Sequence, residues 1–511
     1  MNLFKPIDRH LAHFVLGTNS APEAFQLITY LSAALRQGHS SITVGNKLIP
    51  SPSELKEEEE TLSAEEENQL HKQLQKGVEL LRVKNISAIV IENDRISFEL
   101  YATLKTRFQE LYLKHRETPP CLAVDPVRLK QQVDQLCQEG TITEEQCVAI
   151  VQGCLQSFTT ISGGPGTGKT YTVGILIRLF TELVEKPCKI ALTAPTGKAA
   201  ANLQKSLERL RTPGEFSGMQ ALTLHSLLKL GRKGEAKPID ADLVIVDESS
   251  MIDIKRMVDL FGAIQRGSRL ILLGDPFQLP PVEVGGLFAE LVAENKYGVH
   301  LSKSLRTDLK SIIEMAQGAL EGDLEKIPFH QEIGPFLEEA LRFCTPPSNA
   351  SPAELLSFFN RFRILSPVNK GRWGCEAINN HLFSKLPRIN DKFIAPILIT
   401  KNDRILNLNN GETGVLVCQT PGEYRAGDVA YFEGQGEVRA FPAVALPQHT
   451  WAFCLSVHKS QGSEFEQVLL LWPEGAEKFG RPGLYTGITR AKKQIDLVSS
   501  PETLKATLEK N

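Results

Sequence analysis

Over the first 115 residues apolar positions recur with helical spacing, as in FQLITYLSAALRQG and QLHKQLQKGVELLRV, since side chains three and four apart share one helix face. A strand-like SAIVIEND and a helical ELYATLKTRFQELYLKHR follow, and ETPPC at 117–121 marks a boundary. From about residue 158 the pattern changes to short apolar runs, FTTISGG, KIALTAPT, LVIVDE and RLILLGD. These alternate with the helical KTYTVGILIRLFTELV, GKAAANLQKSLERL and MIDIKRMVDLFGAI. Such alternation predicts an α/β fold with a parallel sheet buried under helices on both faces. FRILSPV, CEAINNHLF, WAFCLSV, QVLLLW, LYTGITRAKK and QIDLVSS predict a second sheet of the same kind. Residues 401–449, with turns such as NNGETG and short runs such as GVLVC and DVAYFEG, read as a small all-β insertion. The expected division is 1–115 (mostly helical), 116–305, 306–400 with 450–511, and 401–449.

At 511 residues, 42% hydrophobic and 23% charged, the chain has the composition of several globular domains and not of a disordered segment. No run approaches the ~18 apolar residues of a spanning helix, and MNLFKPIDRH lacks the order of a signal peptide. A cytoplasmic protein with no membrane association is expected. The nine cysteines are scattered without a CxxC pair, so reduced, mostly buried thiols are expected. The net charge of −3 is misleading. Residues 54–67 (ELKEEEETLSAEEE) carry −7 and leave +4 for the rest. That excludes a broad basic coat, so any nucleic-acid site must be a local groove.

GGPGTGKT at 163–170 follows a strand and opens a helix. Gly163, Gly164, Pro165, Gly166, Thr167 and Gly168 form a turn whose backbone N–H groups can wrap a phosphate at a helix N-terminus. Lys169 supplies the charge for the β- and γ-phosphates, and Thr170 a hydroxyl for Mg²⁺. LVIVDE ends a buried strand in Asp247, a Mg²⁺ anchor, and Glu248, which can orient or deprotonate water. RLILLGDPFQLPPV sets Asp275 and Gln278 beyond another strand, where an amide can sense the γ-phosphate. LTAPTGKAAANL offers Pro195, Thr196, Gly197 and Lys198 to a nucleic-acid backbone.

In order, GGPGTGKT, LTAPTGKAA, TLHSLL, VIVDESSMID, GDPFQLPPV, SKSLRTD, SVHKSQGSEF and YTGITRAKK resemble the motif series of superfamily 1 helicases of the 5′-to-3′ branch, across 146–495. ILSPVNKGRWGCEAIN, ITKNDRILNLNNGETG and LSAALRQGHSS are similar to the RecD subunit family, the alpha chain of exodeoxyribonuclease V.

The resemblance implies two RecA-like domains, an SH3-like insertion in the second, and ATP with Mg²⁺ as cofactors. It implies that Gln146 reads adenine and that Arg306 and Arg490 reach the phosphates from the second sheet. Gly462, Ser463 and Glu464 would link nucleotide to DNA, with His225, His458 and Lys459 on the DNA side. The implied activity is a 5′-to-3′ single-stranded DNA translocase acting at duplex ends in recombinational repair, with RecB-like and RecC-like partners. The interval between His225 and Asp247 leaves room only for a small strand-splitting hairpin around Arg232 and Lys233. Two alternatives stay open: a stand-alone helicase of this branch, and a regulatory subunit whose ATP site gates a partner nuclease. No nuclease centre is expected in this chain, since only about 20 residues follow TRAKK.

Overall fold

The computed structural model describes residues 4–17, 20–52, 55, 63–84, 86–210, 219–229, 236–281, 283–304, 310–403, 405–434 and 437–510. Arg306, the hairpin expected around Arg232 and Lys233, and most of the acidic run lie outside the described residues.

The N-terminal unit packs helices Pro6–Leu16, Pro22–Arg36 and Ala64–Lys84 with a four-stranded antiparallel sheet. Its strands are β1 (Ser41–Val44), β2 (Leu48–Ile49), β3 (Ile89–Glu92) and β4 (Arg95–Phe98), in the order β2-β1-β4-β3. Only β3 stood out in the sequence, because strands of two to four residues carry too few alternations to be read. The buried Asp8 carboxylate accepts from Ser32 Oγ at 2.8 Å and from Arg36 Nη2 at 2.8 Å, pinning the first two helices together.

Helix Glu99–Glu117 corrects the expected boundary at 115. It starts directly after β4 yet buries its apolar face on the next unit, with Phe108 against Phe261 and Tyr112 against Phe158, both at 5.3 Å between ring centroids. His115 Nε2 donates to the Ser157 carbonyl at 3.0 Å. The last helix of the supposed N-terminal domain therefore belongs to the core of the first α/β lobe.

That lobe is a six-stranded parallel sheet of β5 (Phe158–Gly163), β6 (Ile190–Ala194), β7 (Ala221–Thr223), β8 (Leu243–Val246), β9 (Arg269–Gly274) and β10 (Val299–Leu301). The order β10-β5-β9-β8-β6-β7 makes β5, β9 and β8 neighbours. The three turns that follow them therefore meet at one edge, where ligands of open α/β sheets bind. Every residue of these three strands is buried, as continuous apolar runs under helices on both faces require.

The second lobe contributes β11 (Phe362–Ser366), and the antiparallel insertion follows with β12 (Phe393–Ile399), β13 (Thr413–Cys418), β14 (Val429–Glu433), β15 (Val438–Pro442) and β16 (His449–Trp451). The lobe then resumes with β17 (Cys454–Ser456), β18 (Phe465–Trp472) and β19 (Ala491–Ser499), giving a parallel sheet in the order β17-β11-β18-β19. The insertion's sheet has the order β15-β14-β13-β12-β16. It therefore spans 393–451, wider than the expected 401–449. FIAPILI, at 393–399, falls inside the expected 306–400 segment, because an all-apolar run does not reveal its partners; here β12 pairs antiparallel with β13 and β16.

All nine cysteines are free thiols, five of them buried. Among the described residues no helix is long and apolar enough to cross a membrane.

Candidate functional site

The phosphate loop is shaped by close approach. A Cβ on Gly163 would stand 2.7 Å from the Leu301 carbonyl and 2.8 Å from Thr167 Oγ1, so a side chain is excluded there. Gly168, at φ +84°, turns the chain into helix Lys169–Leu183, whose unpaired N–H groups and dipole face the loop. Lys169 Nζ donates to the Gly163 and Gly164 carbonyls at 2.6 and 3.0 Å, and Thr167 Oγ1 to the Gly164 carbonyl at 2.9 Å. Pro165, Gly166 and Thr170 are half-buried around the same turn.

Gln146 is buried beside this loop, in the first turn of helix Glu144–Leu155. Its Oε1 accepts from the Thr143 N–H at 3.0 Å in a capping box, and Nε2 donates to the Thr167 carbonyl at 3.3 Å. The side chain thus ties the upstream helix to the phosphate loop. An adenine contact would use its second N–H and the remaining lone pair.

Strand β8 delivers Asp247 and Glu248. The Glu248 N–H donates to Asp247 Oδ1 at 2.8 Å, and Glu248 itself sits at φ +51°, a conformation rare for a residue with a side chain. Their recessed position raises the Asp247 carboxyl above its ordinary value. Burial, then the neighbouring Asp247 charge, pushes Glu248 up to about 7, while Arg490 and Lys169 pull it back.

Asp275, beyond β9, accepts at Oδ2 from Gln278 Nε2 at 3.2 Å and from the Tyr485 hydroxyl at 2.8 Å. Arg490 is 3% exposed, and its guanidinium donates to the Thr486 and Ser463 carbonyls at 3.0 and 3.3 Å and to Thr489 Oγ1 at 3.3 Å. Three further bonds close the seam. Leu279 N–H donates to Thr486 Oγ1 at 2.8 Å, Gln461 Nε2 to the Leu279 carbonyl at 3.0 Å, and Asn202 Nδ2 to the Gly462 carbonyl at 2.6 Å. Ser463 is buried with its hydroxyl unpaired, and Glu464 pairs with Lys492 at 3.2 Å.

The expected nucleic-acid residues divide. Thr196 caps helix Gly197–Glu208, its Oγ1 accepting from the Ala199 N–H at 3.1 Å, and Pro195 and Gly197 are half-buried in that turn. A Cβ on Gly197 would lie 3.4 Å from Asn409 Nδ2, so the β insertion reaches this turn. Lys459 is exposed. His458 is half-buried against Phe479, at 5.6 Å, and burial lowers its pKa. His225 is exposed, 3.3 Å from Arg256 Nη2. Lys198 is half-buried, and its ammonium lies 5.5 Å from the Phe465 ring centroid in the second lobe. Burial, then repulsion from Arg363, brings it down to about 8.

Sequence reading missed the seam-closing residues Asn202, Gln461, Tyr485 and Thr486. Tyr485 and Thr486 carry a signal in retrospect, since they lie in the same YTGITRAKK run as Arg490, five and four residues before it. Asn202 carries none.

The chain matches the AAA domain family over residues 141–336 and the UvrD-like helicase C-terminal domain over residues 451–498. It is similar to the RecBCD enzyme subunit RecD of Mycolicibacterium smegmatis, 32% identical over 73% of each chain. It is also similar to the ATP-dependent RecD2 DNA helicase of Deinococcus radiodurans, 31% identical over 69% of this chain and 48% of that one. Among solved structures, the Pif1 helicase from Candida albicans matches with 18% identity and a TM-score of 0.41, over 72% of this chain and 97% of that one. With that identity and coverage to a RecD subunit, the chain belongs to the RecD family of superfamily 1 helicases.

Proposed function

We propose that the chain is an ATP-driven, 5′-to-3′ single-stranded DNA translocase that works with RecB-like and RecC-like subunits on duplex DNA ends, in the cytoplasm. The observation that carries this reading is the seam beside the phosphate loop, where Asp275 and Leu279 of the first lobe bond Tyr485, Thr486 and Gln461 of the second. A triphosphate held by both lobes couples its own turnover to their separation, and alternating grip on a strand turns that motion into travel. The RecBCD subunit names of the relatives support the partners.

The donor set fits Mg²⁺. The Asp247 carboxylate is recessed, and among the described residues it receives one hydrogen bond, from Glu248 N–H. A divalent cation held by Asp247 and Thr170 would neutralise phosphate charge. The chain's own residues do the rest. Lys169 exchanges its two loop carbonyls for phosphate oxygens, Glu248 accepts a proton from the attacking water, and Arg490 and Arg306 offset charge spreading over the γ-oxygens. On the nucleic-acid side, the 195–197 turn, His225, His458 and Lys459 grip phosphates without regard to sequence.

The test uses Lys169→Gln in the full chain. It should abolish single-stranded-DNA-stimulated ATP hydrolysis while capture of partner subunits persists. Wild-type turnover in that variant would overturn the reading.

A further inference from the structure

The Asp275 carboxylate is where the two lobes share an acceptor. Gln278 donates to its Oδ2 from the first lobe and Tyr485 from the second, at 3.2 and 2.8 Å, while Oδ1 takes the Phe277 N–H at 3.1 Å. Asp275, Gln278 and Tyr485 are 1%, 8% and 5% exposed, so bulk water does not compete. Gln278 offers Nε2 to this acceptor, which turns its Oε1 away. That oxygen is buried and has no partner among the described residues, an unfavourable state that a donor arriving at the site would relieve. The Tyr485 hydroxyl also stands 3.1 Å from where a Cβ on Gly164 would be, at the lip of the phosphate loop. Burial and the Asp275 charge hold the phenol well above its ordinary pKa, so it remains a donor.

We infer that Tyr485 is a positioning residue for hydrolysis: by holding Asp275 from the opposite lobe, it fixes the Gln278 amide so that Oε1 accepts from the attacking water only when the lobes are together. The inference rests on the ATPase reading above. Thr486 supplies an internal control, because its hydroxyl closes the same seam through the Leu279 N–H at 2.8 Å without touching Asp275.

In the full-length chain with single-stranded DNA, Tyr485→Phe should lower kcat for ATP about fivefold or more, with KM within about twofold of wild type. The Tyr485→Phe/Gln278→Ala double variant should be no slower than Gln278→Ala alone, as expected for residues acting through one another. If Tyr485→Phe does not fold, Asp275→Asn takes its place with the same expected pattern. Wild-type kcat, a loss that multiplies with that of Gln278→Ala, or an equal kcat-only loss in Thr486→Ala would overturn the assignment. Those results leave the ATPase reading intact as long as Lys169→Gln is inactive; turnover in Lys169→Gln would sink that reading and this inference with it.

Discussion

The side-chain amide of Asn202 donates to the Gly462 carbonyl at 2.6 Å, joining the helix after the 195–197 turn to the loop that carries Ser463 and Glu464. Gly462 holds φ +69°, and a Cβ there would lie 3.3 Å from Ala199 Cβ. Gly462→Ala should therefore cost about 1–2 kcal/mol through its left-handed backbone alone, read as a lowered melting temperature. It should also reduce DNA stimulation of ATP hydrolysis more than the basal rate, because the strained contact is the one between the two DNA-side segments.

Glu248 sets the pH dependence. A base held up to about 7 is protonated below that pH, so kcat/KM for ATP should rise along a limb centred near neutrality. Glu248→Gln should remove the limb and slow turnover by about 10²–10⁴-fold. The linked effect on stability has the opposite sense. The folded chain holds this proton over the window from the ordinary carboxylate value of 4.5 up to about 7, where the unfolded chain has released it. This group's contribution to stability falls as pH rises through that window, and Glu248→Gln should flatten the melting profile there.

Arg490 is the cation that the second lobe brings to the first. Arg490→Ala should lower DNA-stimulated kcat by about 10³-fold or more, the scale of a phosphate-stabilising arginine. Nucleotide affinity, measured with a fluorescent ADP, should change little.

Lys459 and Lys198 separate by exposure. Lys459→Ala should reduce the slope of log affinity for single-stranded DNA against log salt by about 0.7, one phosphate contact. Lys198→Ala should leave that slope unchanged, because its ammonium is spent on the Phe465 ring.

Gln146 has its amide shared between Thr143 and Thr167. Gln146→Ala should raise KM for ATP while leaving KM for GTP in place, and a parallel rise in both would reassign the residue to loop support. Thr143→Ala removes the cap and should cost about 1 kcal/mol of stability.

Much of this was written locally. The runs ending at Gly163, Val246 and Gly274 read as buried strands because a parallel sheet covered on both faces leaves no polar alternation, and the residues that follow them are the site. What escaped was decided by distant partners. FIAPILI is as apolar as any parallel strand, and only its neighbours β13 and β16 make it part of the insertion. ELYATLKTRFQELYLKHR was legible as a helix, but nothing in its spacing says that Phe108 and Tyr112 pack on Phe158 and Phe261. Nothing near Lys198 in sequence announces the Phe465 ring beside its ammonium, which lies more than 250 residues away along the chain.

Strand β4 ends at Phe98 and helix Glu99–Glu117 begins at the next residue, with no loop between them. One helix thus joins the outer unit directly to the core of the first α/β lobe at Phe158 and Phe261. A pull on the outer unit would therefore reach the aromatic cluster at the start of β5, the strand that runs into the phosphate loop, with no intervening loop to absorb it.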